Sequence, residues 1–367
     1  MLAFKPDLHQ TMQRMEAFWQ CAVLDRPVAQ FTIEKPAAEQ VPLPQIDHAT
    51  TAERWLDVEY QAKLTDAQLS NRLFLADSLP VAFPNLGPEI LAAFYGSPLY
   101  FGDYGTSWSE PILKDWSTAD NLTLDWDNPY FHKLAELTDA MLELGRDKYI
   151  VGMPDWHPGG DLLAALRNPQ DLAIDLIERP AQVKALLQRL QPDYYKVYDF
   201  WYAKLKNAGQ AITSWLDLAS YEKYYIPSND FSALISPKMY REFFLAGIAE
   251  ECRFLDRSIY HLDGPGALRH LDMILQIPEL HAVQWVPGAG REGFSKWVQV
   301  YQKIQAAGKG IIVYCEVSDL ELVMQTLSPR GLALHISGVP DLETGDNLLA
   351  GLERWTRNYK YPSLSGE

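Results

Sequence analysis

A short apolar run followed by a segment of helical periodicity recurs along this 367-residue chain, and that alternation limits the fold more than any other feature. Eight runs fit: Val28–Ile33, Leu79–Phe83, Tyr149–Met153, Ala211–Leu216, Ser258–Asp263, Ala282–Val286, Gly310–Cys315 and Leu332–Ile336. Parallel strands need a crossover of a dozen or more residues between them, usually a helix, and strand-helix alternation is the mark of such units. The last four runs begin at 258, 282, 310 and 332, only 22 to 28 residues apart, which leaves room for one strand and one helix each. The expected fold is therefore α/β, a single parallel (β/α)8 TIM barrel. Its last four strands should be adjacent, parallel and in chain order.

The helices have matching boundaries. Ser236-Pro237 opens one with a cap residue and a proline in the first turn. Another covers 294–307 and stops at Gly308. Residues 1–27 read as a helical lead-in. Two long loops interrupt the regular pattern, after strands two and four. The first holds a hairpin in LYFGDYGTSWSEPIL and a helix near 129–145, and the second is 217–235. Long loops inside a compact domain are usually functional. The second is expected to cover the strand ends and to bring Tyr221, Tyr224, Tyr225 and Asp230 to a pocket.

A net charge of −16 and no Lys/Arg cluster argue against nucleic acid or an anionic membrane as partner. Three unpaired cysteines point to a reducing, cytoplasmic compartment rather than a disulfide framework. The first twenty residues lack the apolar core of a signal peptide, and no run of 18 apolar residues occurs.

Barrel enzymes place their chemistry at the C-terminal ends of the strands. There this chain carries Glu34, Asn85, His157, Trp215, Asp217, His261, Asp263, Gln284, Trp285, Cys315, Glu316, His335 and Ser337. His261 and Asp263 are the sharpest pair, because residues two apart on a strand point the same way. Imidazole and carboxylate could hold a metal, or the carboxylate could set the histidine tautomer for acid–base work. Cys315 would add a third metal ligand. Asp230 joins as a further acid. Asn85, His157, Trp215, Tyr225, Gln284, Trp285 and His335 are the expected substrate-binding residues. Asp161, one turn into the segment after Gly159-Gly160, reads as a helix cap. No Walker, dinucleotide or nucleophile-elbow pattern is present.

Several runs carry a resemblance: YHLDGPGALRHLDMILQIPELHAVQWVPGAG, GGDLLAALRNPQDLAIDLIERPAQVKALL, SNDFSALISPKMYREFFLAGIAEECRFLD and FPNLGPEILAAFYGSPL. They resemble the uroporphyrinogen decarboxylase superfamily, and within it the bacterial members related to cobalamin-dependent methyltransferases. The resemblance extends from about Arg26 to Leu349. It implies one superfamily-like barrel domain over 1–367, zinc held from the position of His261, and a corrinoid brought by a partner protein. The decarboxylase's Arg-containing segment after strand one is here IEKPAAEQVPLPQ, without arginine, which argues against uroporphyrinogen as substrate. Where the methyltransferases carry cysteines, this chain has Asp263 and Val339, so zinc would have Asp263 and Cys315 beside His261.

The leading expectation is a methyltransferase moving a methyl group between a small substrate and a corrinoid on a partner. The alternative is a lyase- or hydrolase-type enzyme acting on a small polar substrate through a His–Asp acid/base pair. Uroporphyrinogen decarboxylation and a non-enzymatic binding barrel rank below both. The oligomeric state is open, a homodimer included.

Overall fold

The computed structural model describes residues 2–103, 105–288 and 293–360. Its central sheet has seven strands, in the order Arg72–Ala76, Val28–Glu34, Leu332–Ser337, Gly310–Glu316, Ala282–Val286, Arg257–Asp263, Tyr224–Tyr225. Every pairing is parallel except that of the edge strand Arg72–Ala76, which runs antiparallel to Val28–Glu34. The four C-terminal runs are adjacent and in chain order, as the spacing predicts. Their centres are continuous apolar stretches because both faces are covered, and Ile259, Val283, Ile311, Val313 and Leu334 are fully buried.

Three of the other expected runs, all but Val28–Ile33, shrink to strands of two residues. Val81–Ala82 pairs in parallel with Ile150–Val151, and Ile212–Thr213 pairs antiparallel with Ala219–Ser220. Pro80, Pro84 and Pro154 flank these segments and lack the N–H that would extend a ladder. The continuous ladder therefore ends at Arg72–Ala76 and at Tyr224–Tyr225, and does not trace the expected closed ring of eight. Side chains tie the short strands instead. Asp77 accepts from the Ala29 N–H and from the buried Arg26, and Gln210 Oε1 accepts from the Val151 N–H. The antiparallel edge strand, and the helices Thr51–Leu56 and Val58–Ser70 before it, were not expected from the pattern.

The first long insertion contains the expected hairpin, Leu99–Phe101 with Ser107–Ser109, and a helix Pro129–Leu144 capped by Asn128. Ser236 Oγ caps the helix Pro237–Phe243, which breaks at Phe244 and resumes over Leu245–Phe254. The reading of 217–235 as a lid of tyrosines needs correction. Tyr224 and Tyr225 form a buried strand paired with Arg257–Asp263, whereas Tyr221 lies on the surface, half exposed. Only the following turn carries its acid, Asp230, to the strand ends. No helix among the described residues is long and apolar enough to cross a membrane.

Candidate functional site

One polar row crosses the parallel sheet. His261 is the register partner of Gln284, Tyr314 of His335, and His335 of Gln30. Same-register residues on neighbouring strands face the same side, so five strands contribute one polar residue each to a single face. The row is bonded as well as aligned. Gln284 Nε2 donates to the Tyr314 hydroxyl at 2.7 Å, which turns Gln284 Oε1 toward His261 Nδ1, 2.6 Å away. At the far end Gln30 Nε2 donates to the Asp217 carbonyl at 2.7 Å.

The Gln284 contact fixes the chemistry of His261. A carbonyl oxygen only accepts, so Nδ1 carries a proton, and in the neutral imidazole Nε2 then presents a lone pair. Nε2 lies 3.8 Å from Asp230 Oδ1, and Trp215 meets the ring edge-on at 5.1 Å between centroids. Asp230, His261 and Asp263 each offer one ligand atom, and these atoms lie within 4.8 Å of one another. Zinc bonds of about 2.1 Å at tetrahedral angles would put ligand atoms ~3.4 Å apart, so the group must contract by rather less than 1.5 Å. The Asp230 side chain is 58% exposed. Asp263 Oδ1 is buried and has no hydrogen-bond partner, an arrangement that a cation would satisfy. Burial, and then the charge of Asp230, push the Asp263 carboxyl above its ordinary range. The residues fit a divalent metal.

Asp230 is held from behind. Ser228 Oγ lies 3.2 Å from Asp161 Oδ2 and 3.3 Å from Asp230 Oδ1, and the Phe231 N–H donates to Asp161 Oδ1 at 3.0 Å. Asp161 thus braces the turn 228–231 and makes no cap bond to its own helix, contrary to the sequence reading. Burial and the neighbouring Asp230 raise its pKa to about 6. His157 sits beside Asp155 at 2.9 Å; burial disfavours its charge, but Asp155, Asp161 and Asp230 outweigh that and raise its pKa to about 9.

One cavity borders Asp230, and another borders the far end of the polar row. The first, about 380 Å³, lies between His157, Asp161 and Asp230 and an apolar wall that includes Leu91, Leu162 and Phe231. The other, about 570 Å³, is lined by the far end of the polar row, with Gln30, Asp217, Tyr314 and His335 on its wall. Burial lowers His335 to about 4, so it is neutral, and raises Asp217 to about 7.

The other expected residues fall elsewhere. Cys315 is buried on the opposite side of its strand from Tyr314, two strands away from His261, and does not join the metal-competent group. Burial pushes its thiol up to about 12, which disfavours the thiolate that a metal needs. Trp285 faces outward onto Trp297 at 5.1 Å, since it alternates with Gln284. Tyr225 is a buried brace whose hydroxyl donates to the Pro154 carbonyl and accepts from the Trp156 N–H. Asn85 Oδ1 closes its own turn on the Gly87 N–H and borders a separate cavity near Trp55. Sequence reasoning missed Gln30, Tyr314 and Ser228. Gln30 leaves a trace, as the one polar residue in the first four of VAQFTI.

No family model matches the chain, and no curated protein matches it in sequence. Among solved structures, a methyltransferase from Methanosarcina mazei superposes with a TM-score of 0.57, covering 94% of this chain and 98% of that one. At 12% identity the likeness establishes a shared fold along nearly the whole of both chains.

Proposed function

We propose that this chain is a methyltransferase of the uroporphyrinogen decarboxylase superfamily, moving a methyl group between a small substrate and a corrinoid carried by a partner protein. The observation that carries the reading is the Asp230–His261–Asp263 group, whose ligand atoms lie within 4.8 Å of one another while Gln284 engages His261 Nδ1. The Methanosarcina mazei methyltransferase, similar along nearly its whole length, supports the reaction class.

The same reading takes the strands as one (β/α)8 barrel domain. Three bonds across the short strands support it, from the Asp77, Gly152 and Met153 N–H groups to the Ala29, Ala82 and Thr213 carbonyls. The segment Trp215–Asp217 also meets both ends of the polar row, His261 through the Trp215 ring and Gln30 through the Asp217 carbonyl.

Zinc, held by His261, Asp263 and Asp230 with a fourth position open, would supply Lewis-acid activation of the atom that gives or takes the methyl group. The protein's own residues do the rest. Gln284 keeps the proton on His261 Nδ1, with Tyr314 holding the Gln284 amide in that sense. Asp161 and Ser228 hold the turn that carries Asp230. His157 and Asp161 stand ready to exchange a proton with a substrate in the adjoining cavity. A test is to mix the protein with methylcobalamin and candidate thiol or amine acceptors and follow the methyl–cobalt absorbance. Enzyme-dependent demethylation of the corrinoid, absent in His261→Ala, is expected. No change with any acceptor, from metal-loaded protein, contradicts the reading.

A further inference from the structure

Beside the turn that carries Asp230, and lined by its Asn229, lies a further cavity of about 260 Å³. It is enclosed by the start of helix Gly159–Arg167, by Gln188 and Gln191 of helix Pro180–Asn207, and by Phe243, Phe244 and Glu251 of the paired helices that follow. Two of its lining side chains are almost fully buried and have unsatisfied atoms. Asn229 is 2% exposed, with neither Oδ1 nor Nδ2 bonded, and Glu251 is 1% exposed, with Oε2 unbonded. Buried polar atoms are normally paired, and three orphans around one cavity call for a common partner. Gly160 makes room for the arrangement, since a Cβ there would stand 2.5 Å from Asn229 Oδ1.

We propose that this cavity is a ligand site for a small neutral molecule bearing a carboxamide or urea group, with a short apolar body. The Asn229 amide offers both a donor and an acceptor, the complement of another amide. Burial holds the Glu251 carboxyl well above its ordinary range, which favours the neutral form whose O–H can donate toward the ligand's carbonyl. Charged ligands fit poorly. An anion would face Glu242, Glu250 and Glu251, while the nearby cation Lys184 is already engaged by Glu242 at 2.7 Å. A cation would have to ionise a carboxyl that burial keeps neutral. Phe243, Phe244, Leu187 and Ile248 supply apolar wall for the ligand's body.

The site lies outside the proposed methyl-transfer centre and does not depend on it. Its test uses propionamide as probe, with propionate and propylammonium as charged isosteres, read by ligand-observed NMR titration and a crystal soak. Saturable binding of propionamide alone is expected, with density against Asn229 and Glu251. Glu251→Met should weaken it about ten-fold, as loss of one well-placed hydrogen bond to a buried group does. Asn229→Leu should abolish it; if that variant does not fold, Glu251→Met and the soak decide. Three results would overturn the proposal: equal or tighter binding of either charged isostere, unchanged affinity in Glu251→Met, or only ordered water in the soaked cavity. Loss of methyl transfer in an enzyme that still binds propionamide would count against the proposed reaction, not against this site.

Discussion

Two regions of the strand framework, the seven-stranded sheet and the short strands between Asp77 and Tyr225, are held together by different means. From Arg257 to Ser337, with Val28–Glu34 added, long parallel strands exchange backbone hydrogen bonds over three to six register pairs each. From Asp77 to Tyr225, the hairpin Leu99–Phe101 with Ser107–Ser109 aside, the strands are two residues long, and individual side chains do the stitching: Asp77, Gln210, Tyr225 and Gln30. A ladder spreads its stability over many equivalent bonds, so no one side chain decides it. A seam made of buried polar side chains concentrates cost in single residues, because removing one partner strands the other without water. The site uses both regions: the ladder fixes His261, Asp263 and Gln284, and the seam presents Trp215, Asp217 and the turn bearing Asp230.

The sharpest way to break this contrast is Asp77→Ala. It leaves Arg26, itself 4% exposed, as an unpaired buried cation and frees the Ala29 N–H. A loss of about 3–5 kcal/mol is expected from urea unfolding. A loss under about 1 kcal/mol would mean that the seam is not held as described.

On the ladder side the expected effect falls on binding. Gln284→Met keeps the volume but removes the acceptor that sets the His261 tautomer. Metal affinity should drop about 10–100-fold by isothermal titration, since partners of a ligating histidine have that weight. Unchanged affinity would show that Gln284 does not orient His261.

A pH-dependent effect should come from Asp217, which has left-handed backbone (φ 47°) and a carboxyl raised by burial from 3.8 to about 7. Between those values the native state keeps a proton that the unfolded chain has lost, so stability falls as pH rises from about 4 to about 7 and stays low above. Asp217→Asn stays neutral throughout. Its melting temperature should decline less over that range and exceed the wild type's at pH 8. Parallel pH curves for the two proteins would count against a raised Asp217.

This division also explains what was legible in the sequence. Strand spacing and apolar continuity are local signals, and they located the four C-terminal strands almost to the residue. The i, i+2 spacing of His261 and Asp263 put both on one face, and Asp230 joined them. The short strands were harder to bound because prolines cut the ladder, and their fastening depends on side chains distant in sequence, such as Asp77 with Ala29. Cross-strand register is likewise invisible locally, so the row from His261 to Gln30 could not be seen. Alternation around Gln284 did hold the clue that Trp285 points outward, and alternation around Tyr314 the clue that Cys315 does too. Asp161 looked like a helix cap because it falls in a first turn; that it braces a turn nearly seventy residues away needed the fold.

The central claim is that Asp230, His261 and Asp263 hold a metal. The most direct measurement is zinc content by elemental analysis of purified wild type, His261→Ala, Asp263→Ala and Cys315→Ala, each checked by a thermal melt. The expected result is one zinc per chain in the wild type and in Cys315→Ala, and none in the other two, whose melts should stay close to that of metal-stripped wild type. A wild type that takes up no zinc or other divalent ion under saturating conditions would contradict the claim, as would zinc retained in His261→Ala.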